Sequence, residues 1–205
     1  MWSAILDWTG TATESVIAPV AELFGSSGAA WGWAVLLLGA GWRVLTWPWL
    51  LRGAVRRIGK LRGDRLPPEP GWFVRVGMGF TLVQVVVLVV IALWTRTGPT
   101  ADEAWFYGLD PLSSSPVALG PGGLAWAVSL ALLGGASGLV GQRAAGVTDA
   151  RQRFGARYIS PVIFLCLGLF LPAGMVVSFV VSMGLSLVAV LQAAGRSADR
   201  TEVAA

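Results

Sequence analysis

The chain has 205 residues, of which 55% are hydrophobic and only 13% are charged, and the apolar residues come in long blocks. One soluble core cannot bury that much apolar surface, so the composition predicts an all-α polytopic membrane protein and excludes an ordinary soluble domain. The formal net charge of +4 does not indicate nucleic-acid binding, because the basic residues fall in short segments between apolar runs, where they set orientation in the membrane.

The first 30 residues contain no lysine or arginine. They therefore lack the basic region of a cleavable signal peptide, and we expect the N-terminus to be retained. Apolar residues recur at helical spacing between Ile17 and Phe24, with Glu14 and Glu22 elsewhere on the turn. This pattern predicts an amphipathic helix over residues 12–25 that lies in the membrane interface.

The first apolar run, about residues 30–51, is long enough to cross a bilayer and contains a single charge, Arg43. Arg43 lies about 18 Å of helix beyond Trp31 and about 13 Å before Arg52. An arginine at that depth costs from about 2.5 to more than 10 kcal/mol unless it reaches water, a partner or a thinned membrane. We therefore expect a local hydrated feature around this side chain.

The helical neighbours of Arg43 include the small or polar residues Gly39, Ala40 and Thr46. Such neighbours favour the wall of a polar hollow within the membrane. The alternative is an arginine that snorkels to the lipid headgroups or binds a helix carbonyl.

Four further spans follow in the sequence. They are predicted at about residues 72–94, 122–141, 158–171 and 173–192. Pro172 and Gly174 break a run that would otherwise form one overlong helix. The basic segments 52–71 and 142–157 are cytoplasmic by the positive-inside rule. We expect five transmembrane helices in the plasma (inner) membrane, with the N-terminus outside and the C-terminus in the cytoplasm.

Polar residues within the spans are candidates for lining the hollow. Thr81 and Gln84 share a polar stripe on the second span, and Ser178 and Ser182 recur at a spacing of four on the fifth. Stripes of small residues more often mark close helix packing, which stays the favoured interpretation of the serines. The candidate site consists of Arg43, Thr46 and Gln84, with Thr81, Ser178 and Ser182 as further lining.

Five short motifs occur in order along the chain. They are Arg43–Pro48, Leu82–Val85, Phe106–Pro111, Phe170–Met175 and the segment from Ser182 to Gln192. In this order they resemble the motifs of the YidC/Oxa-type membrane protein insertases, over about residues 12–193. The long cytoplasmic helical hairpin of that family is missing, because residues 52–71 are too few and contain three prolines. The chain therefore resembles a reduced, divergent member.

The resemblance implies a groove that is open to the cytoplasm and to lipid, closed outside, and carries an arginine in its wall. Arg43, Thr46 and Gln84 would there meet polar or acidic segments of newly made membrane proteins while the apolar flanks enter lipid. The implied function is that of an insertase or chaperone, not an enzyme, with no cofactor. Its partners would be nascent membrane proteins and the lipid bilayer, and the general secretion channel stays open as another.

The sequence is also compatible with two other classes of function. The short loop favours a non-catalytic subunit or assembly factor of a larger membrane complex. A small-solute transporter ranks third, because the spans contain no Asp, Glu or His. One cysteine, Cys166, and no histidine argue against a metal site.

The orientation can be tested with single cysteines and an impermeant thiol reagent on intact cells. We expect labelling from outside at positions Ser27, Glu103 and Ser115. Cysteines at Lys60 or Ala150 should stay unlabelled, because the basic segments are held on the cytoplasmic side. Labelling at Lys60 would overturn the whole arrangement.

Overall fold

The computed structural model describes residues 2–25 and 27–202. Its helices are α1 (Trp2–Glu22), α2 (Gly28–Leu45), α3 (Trp47–Arg62), α4 (Gly71–Thr97), α5 (Gly120–Ala144), α6 (Ala150–Phe154), α7 (Ser160–Phe170) and α8 (Ala173–Glu202). A 3-10 turn (Pro116–Leu119) precedes α5, and a π-helical turn (Gly155–Ile159) joins α6 to α7. The apolar runs form helices because a chain in hydrocarbon must satisfy its backbone N–H and C=O groups within its own segment.

Five segments are long and apolar enough to cross a membrane, so the chain is a multi-pass membrane protein. They are Gly28–Leu45, Gly71–Thr97, Pro116–Ala144, Ala150–Phe170 and Ala173–Arg196. The predicted number of spanning helices is thus confirmed, whereas the orientation of the termini stays a prediction. The fourth span begins earlier than residue 158, because the π-helical turn carries the helix through from Ala150.

The predicted first span of about residues 30–51 is divided at Thr46. Pro48 has no N–H to donate to the carbonyl four residues earlier, so α2 ends at Leu45 and α3 begins at Trp47. The N–H of Thr46 donates to the carbonyl of Trp42 at 3.0 Å, and its hydroxyl donates to the same carbonyl at 2.9 Å. Arg43 therefore lies in the last turn of a helix, at the negative end of the helix dipole, instead of mid-helix.

The predicted basic loop 52–71 is helical up to Arg62. Gly63, with φ of 87°, ends α3, and the residues from 64 to 70 are irregular. Ile58 is 1% exposed and packs in a cluster with Val190 of α8. This contact holds α3 against one end of the bundle.

The N-terminal helix starts at Trp2 and not at residue 12. Its buried residues Thr13, Ile17 and Ala21 lie at a spacing of four, so one face of α1 packs against the bundle. On another face, Trp8 is 73% exposed. A position for α1 in the membrane interface stays a prediction.

Residues 98–115, here called the loop cap, close the other end of the bundle. Ala104, Leu109 and Leu112 are fully buried there. The N–H of Ala173 donates to the carbonyl of Ser114 at 2.8 Å, so the cap also fixes the start of α8. The loop cap thus joins the sharp turn at Pro172 to the rest of the fold.

α5 and α7 approach closely because a glycine faces the contact. A Cβ on Gly134 of α5 would overlap the ring of Phe164 on α7. A Cβ on Gly184 of α8 would meet no atom within 4 Å. The two glycines therefore form a matched pair for testing the packing.

We expect Gly134→Val to lower the free energy of unfolding by about 1–3 kcal/mol more than Gly184→Val, because the new side chain pushes α5 from α7. Both variants add the same residue to a helix, so helix propensity cancels in the comparison. Thermal unfolding of the detergent-solubilised protein measures the difference. Equal effects of the two substitutions would show that α5 and α7 do not pack in this way.

Candidate functional site

A cavity of about 550 Å³ lies between α2, α3, α4 and α8, and α5 contributes one residue to its wall. Here it is called the Arg43 cavity. The loop cap meets the start of α2 at Gly28, whereas the cavity surrounds the end of α2, so the two lie at opposite ends of the bundle. The polar residues contributed by the spanning helices are Arg43, Thr46, Thr81, Gln84, Ser137 and Ser186.

The guanidinium of Arg43 meets the side chain of Gln84 on α4. With its amide oxygen turned toward the guanidinium, Gln84 accepts hydrogen bonds from Arg43 Nε at 3.2 Å and from Nη2 at 2.8 Å. The opposite orientation would set donor against donor, so the hydrogen-bond network decides the assignment. Within the described residues, no salt bridge involves Arg43. A neutral dipole holds this side chain, and its positive charge is not cancelled.

Trp42 and Phe80 fix α4 opposite Arg43. The indole N–H of Trp42 donates to the carbonyl of Phe80 at 3.0 Å, one turn before Gln84. The Phe80 ring also meets the Trp49 ring of α3 edge to face, with centroids 4.6 Å apart. These contacts join α2, α3 and α4 into one aromatic wall beside the guanidinium.

Trp49 also contributes a polar group to this wall. Its Nε1 is buried and has no hydrogen-bond partner in the described part of the chain. A buried donor without an acceptor costs about 1–3 kcal/mol. The cavity wall can therefore gain free energy by donating this hydrogen bond to an acceptor that enters.

The entrance near α3 is also basic. Among the described residues, Glu69 is the only acidic one that lines the cavity, and its carboxylate already lies 3.2 Å from Arg56 Nε and 3.8 Å from Arg52 Nε. Arg57 lines the cavity, is exposed and forms no salt bridge with any described residue. The cavity thus presents positive charge both in its interior and at its entrance.

The structure brings Arg43, Thr46, Thr81 and Gln84 together around one cavity. The Thr46 hydroxyl caps the end of α2, and the Thr81 hydroxyl donates to the carbonyl of Gly77 at 3.0 Å. Both threonines thus present oxygen atoms that can still accept a hydrogen bond. A role for these residues in holding substrate stays a prediction.

Ser178 and Ser182 do not line the Arg43 cavity. Ser178 is fully buried and donates to the carbonyl of Val35 at 3.3 Å. A Cβ on Gly39 would lie 3.0 Å from Ser178 Oγ, so these two helices touch at small residues. Ser182 is 4% exposed. The two serines therefore pack between helices instead of facing the cavity.

Sequence reasoning overlooked several lining residues. Ser186 is the third residue of the serine stripe, for which the sequence favoured helix packing over a place in the hollow, and it lines the cavity. Trp49 lies near the end of an apolar run, where tryptophan is typical of the membrane interface, and Arg57 lies in the basic segment 52–71, so neither position predicts a place in the cavity wall. Nothing in the sequence pointed to Ser137 of α5. Its place depends on how α5 crosses α8.

The cavity combines uncancelled positive charge, hydrogen-bond donors and an aromatic wall, which suits acidic and other acceptor-rich groups. Within the described residues, no three His, Cys, Asp or Glu side chains form a group that could hold a metal ion. No family model, curated protein or solved structure matches the chain. The chemistry of the cavity is therefore the basis for assigning a function.

A double-mutant cycle tests the contact between Arg43 and Gln84. We expect Arg43→Leu and Gln84→Leu to couple by about 1–3 kcal/mol in thermal unfolding, because each single change leaves a polar partner unsatisfied. Thr81→Val is the matched control, since the Thr81 hydroxyl bonds within its own helix. Its coupling to Arg43→Leu should stay below about 0.5 kcal/mol. Additive effects for the Arg43 and Gln84 pair would contradict this contact.

Proposed function

We propose that the protein is a membrane protein insertase or chaperone of the YidC/Oxa type, in a reduced form without the long cytoplasmic hairpin. The Arg43 cavity would hold a polar segment of a newly made membrane protein while that segment crosses the bilayer. The observation that carries this proposal is the charge of Arg43, bound by the neutral amide of Gln84 within a wall of membrane helices.

The charge matters because polar groups cross hydrocarbon at great cost. Each unpaired amide or hydroxyl that leaves water costs roughly 2–7 kcal/mol, and an isolated charge costs far more. A guanidinium that keeps its full charge can stabilise an acidic side chain or a row of backbone carbonyls during the crossing. A carboxylate beside Arg43 would have cancelled this effect.

The size of the cavity suits a short segment. At about 30 Å³ of liquid volume per water molecule, its volume of about 550 Å³ could take on the order of eighteen waters or a few substrate residues. Gly53 and Met78, which line the cavity, are exposed, so it is open at the side. The apolar flank of a substrate would leave through this opening into lipid.

The loop cap favours an insertase over a channel. Its buried apolar side chains fill the bundle at the end opposite the cavity, so the cavity does not continue through the protein. Under the proposed orientation, the cap faces outside and the cavity opens toward the cytoplasm. A polar segment would then cross only the remaining thin layer, with its charge stabilised at the start.

A second candidate is a subunit or assembly factor of a larger membrane complex. The short irregular segment from residue 64 to 70 favours it, because it replaces the long helical hairpin of the family that the chain resembles. Such a protein would co-purify with a partner in stoichiometric amount. It would also show no dependence on the charge of an inserted segment.

Substitutions at Arg43 separate these roles. We expect Arg43→Lys to retain most insertion into reconstituted vesicles, and Arg43→Ala to lose roughly tenfold for a substrate with an acidic translocated segment. Arg43→Glu should be worst for that substrate, because it repels the acidic segment. A neutral substrate should be affected little by any of these changes.

Arg96→Ala is the matched control, since Arg96 lies exposed near the other end of α4 and does not line the cavity. It should insert both substrates normally. If Lys fails as badly as Ala for both substrates, Arg43 acts as a structural residue. A cysteine at position 43 that no water-soluble reagent reaches, with activity indifferent to substrate charge, would refute the groove.

A further inference from the structure

A second cavity, of about 340 Å³, lies where α5 ends and the α6 helix begins. Here it is called the arginine pocket. It is lined by Leu139, Gln142, Arg143, Arg153 and Arg157. Three of these five lining residues carry a guanidinium, so the pocket is a concentrated source of positive charge apart from the Arg43 cavity.

The local fold holds the arginines in place. Arg153 and Arg157 lie one turn apart, across the junction of α6 with the π-helical turn, so they share a face. Arg153 Nε donates to the carbonyl of Val147 at 2.7 Å. Gln142 Nε2 donates to the carbonyl of Gln152 at 2.9 Å, which ties α5 to α6.

Within the described residues, none of the three arginines forms a salt bridge. The nearby carboxylate of Asp149 is used to cap α6, where it accepts a hydrogen bond from the backbone N–H of Arg151 at 2.9 Å. Like charges in one pocket repel each other. An anion that bound there would relieve this repulsion and accept several charge-assisted hydrogen bonds.

Gln142 requires a hydrogen-bond donor from any ligand that fills the pocket. Its Oε1 is buried and has no hydrogen-bond partner in the described structure. The hydrogen bond from its Nε2 to the carbonyl of Gln152 fixes the orientation of the amide, so the unpaired atom is the oxygen. A phosphodiester group carries no O–H and cannot donate a hydrogen bond to this oxygen. A ligand that satisfies the whole pocket therefore combines an anionic phosphate with a hydroxyl or another donor.

The pocket is surrounded by exposed apolar side chains. Phe154, Tyr158 and Ile159 are 55%, 49% and 51% exposed on the same helical segment, which belongs to a predicted span. Leu139 supplies an apolar side to the pocket itself. Basic and exposed apolar residues meet here, as they do where a protein faces both phosphate headgroups and acyl chains.

We propose that the arginine pocket binds the headgroup of an anionic phospholipid that carries a hydroxyl donor, with phosphatidylglycerol as the simplest case. The phosphate meets the guanidinium groups of Arg143, Arg153 and Arg157. A glycerol hydroxyl donates to Gln142 Oε1. The acyl chains lie along the exposed apolar surface beside Ile159. This site is independent of the proposed function of the Arg43 cavity.

The test is native mass spectrometry of the full chain in detergent, titrated with phosphatidylglycerol, phosphatidic acid or phosphatidylcholine. We expect phosphatidylglycerol to bind most tightly and phosphatidylcholine least. Replacing both Arg153 and Arg157 by Gln should weaken phosphatidylglycerol binding roughly tenfold or more. Arg151→Gln, on the same short helix but outside the pocket, should change it less than about twofold.

Gln142→Met tests the hydroxyl donor separately. It should weaken phosphatidylglycerol binding by several-fold and phosphatidic acid binding less, since phosphatidic acid has no headgroup hydroxyl beyond its phosphate. If the double variant does not fold, Arg143→Gln is the second variant, because its side chain makes no hydrogen bond in the described structure. We expect Arg143→Gln to weaken phosphatidylglycerol binding less than the double variant would.

Four results would overturn the assignment. An equal loss in Arg151→Gln would mean diffuse attraction, and displacement of the lipid by excess inorganic phosphate would mean a site for soluble anions. An equal effect of Gln142→Met on both anionic lipids would remove the role of the hydroxyl. Loss of binding to a short RNA duplex in the double variant, with lipid binding intact, would make the pocket a nucleic-acid contact.

Discussion

A guanidinium inside an apolar layer must be hydrogen-bonded or hydrated, and the arrangement of α2, α3 and α4 follows from that constraint. α2 ends two residues after Arg43, at Leu45, because Pro48 prevents the helix from continuing. α4 supplies Gln84 to the guanidinium and is held in place by the hydrogen bond from Trp42 to Phe80. The cavity is the space that these helices leave around the charge.

The two ends of the bundle differ in packing and polarity. At the loop cap, buried apolar side chains and backbone hydrogen bonds to the starts of α2 and α8 produce a dense seal. At the other end, α3 leans across α8 through Ile58, and the helices stay apart around polar side chains. One end of the bundle is thus a packed apolar core, and the other end contains the polar Arg43 cavity. The packed end limits how closely the helices can approach each other around the cavity.

The spans could be predicted from long apolar runs, because the thickness and apolarity of the bilayer set the length and composition of a helix that crosses it. The division at Thr46 was also readable in principle, since Pro48 forbids one hydrogen bond, but a long apolar run concealed it. The serine stripe could not be resolved from spacing alone. Ser178 packs because Gly39 of a distant segment allows contact, whereas Ser186 reaches the cavity. Tertiary packing determines which helix faces a given residue. The spacing of residues along one helix cannot predict it.

The bond between Arg43 and Gln84 joins a permanent cation to a group that does not titrate. Among the described residues that line the cavity, the spanning helices contribute no carboxylate and no histidine. The interior electrostatics therefore stay constant when the proton gradient across the membrane changes. Under the proposed insertase function, no protonation cycle of these residues would drive the movement of a polar segment, so its direction would come from the substrate protein, whose apolar part gains free energy on entering lipid.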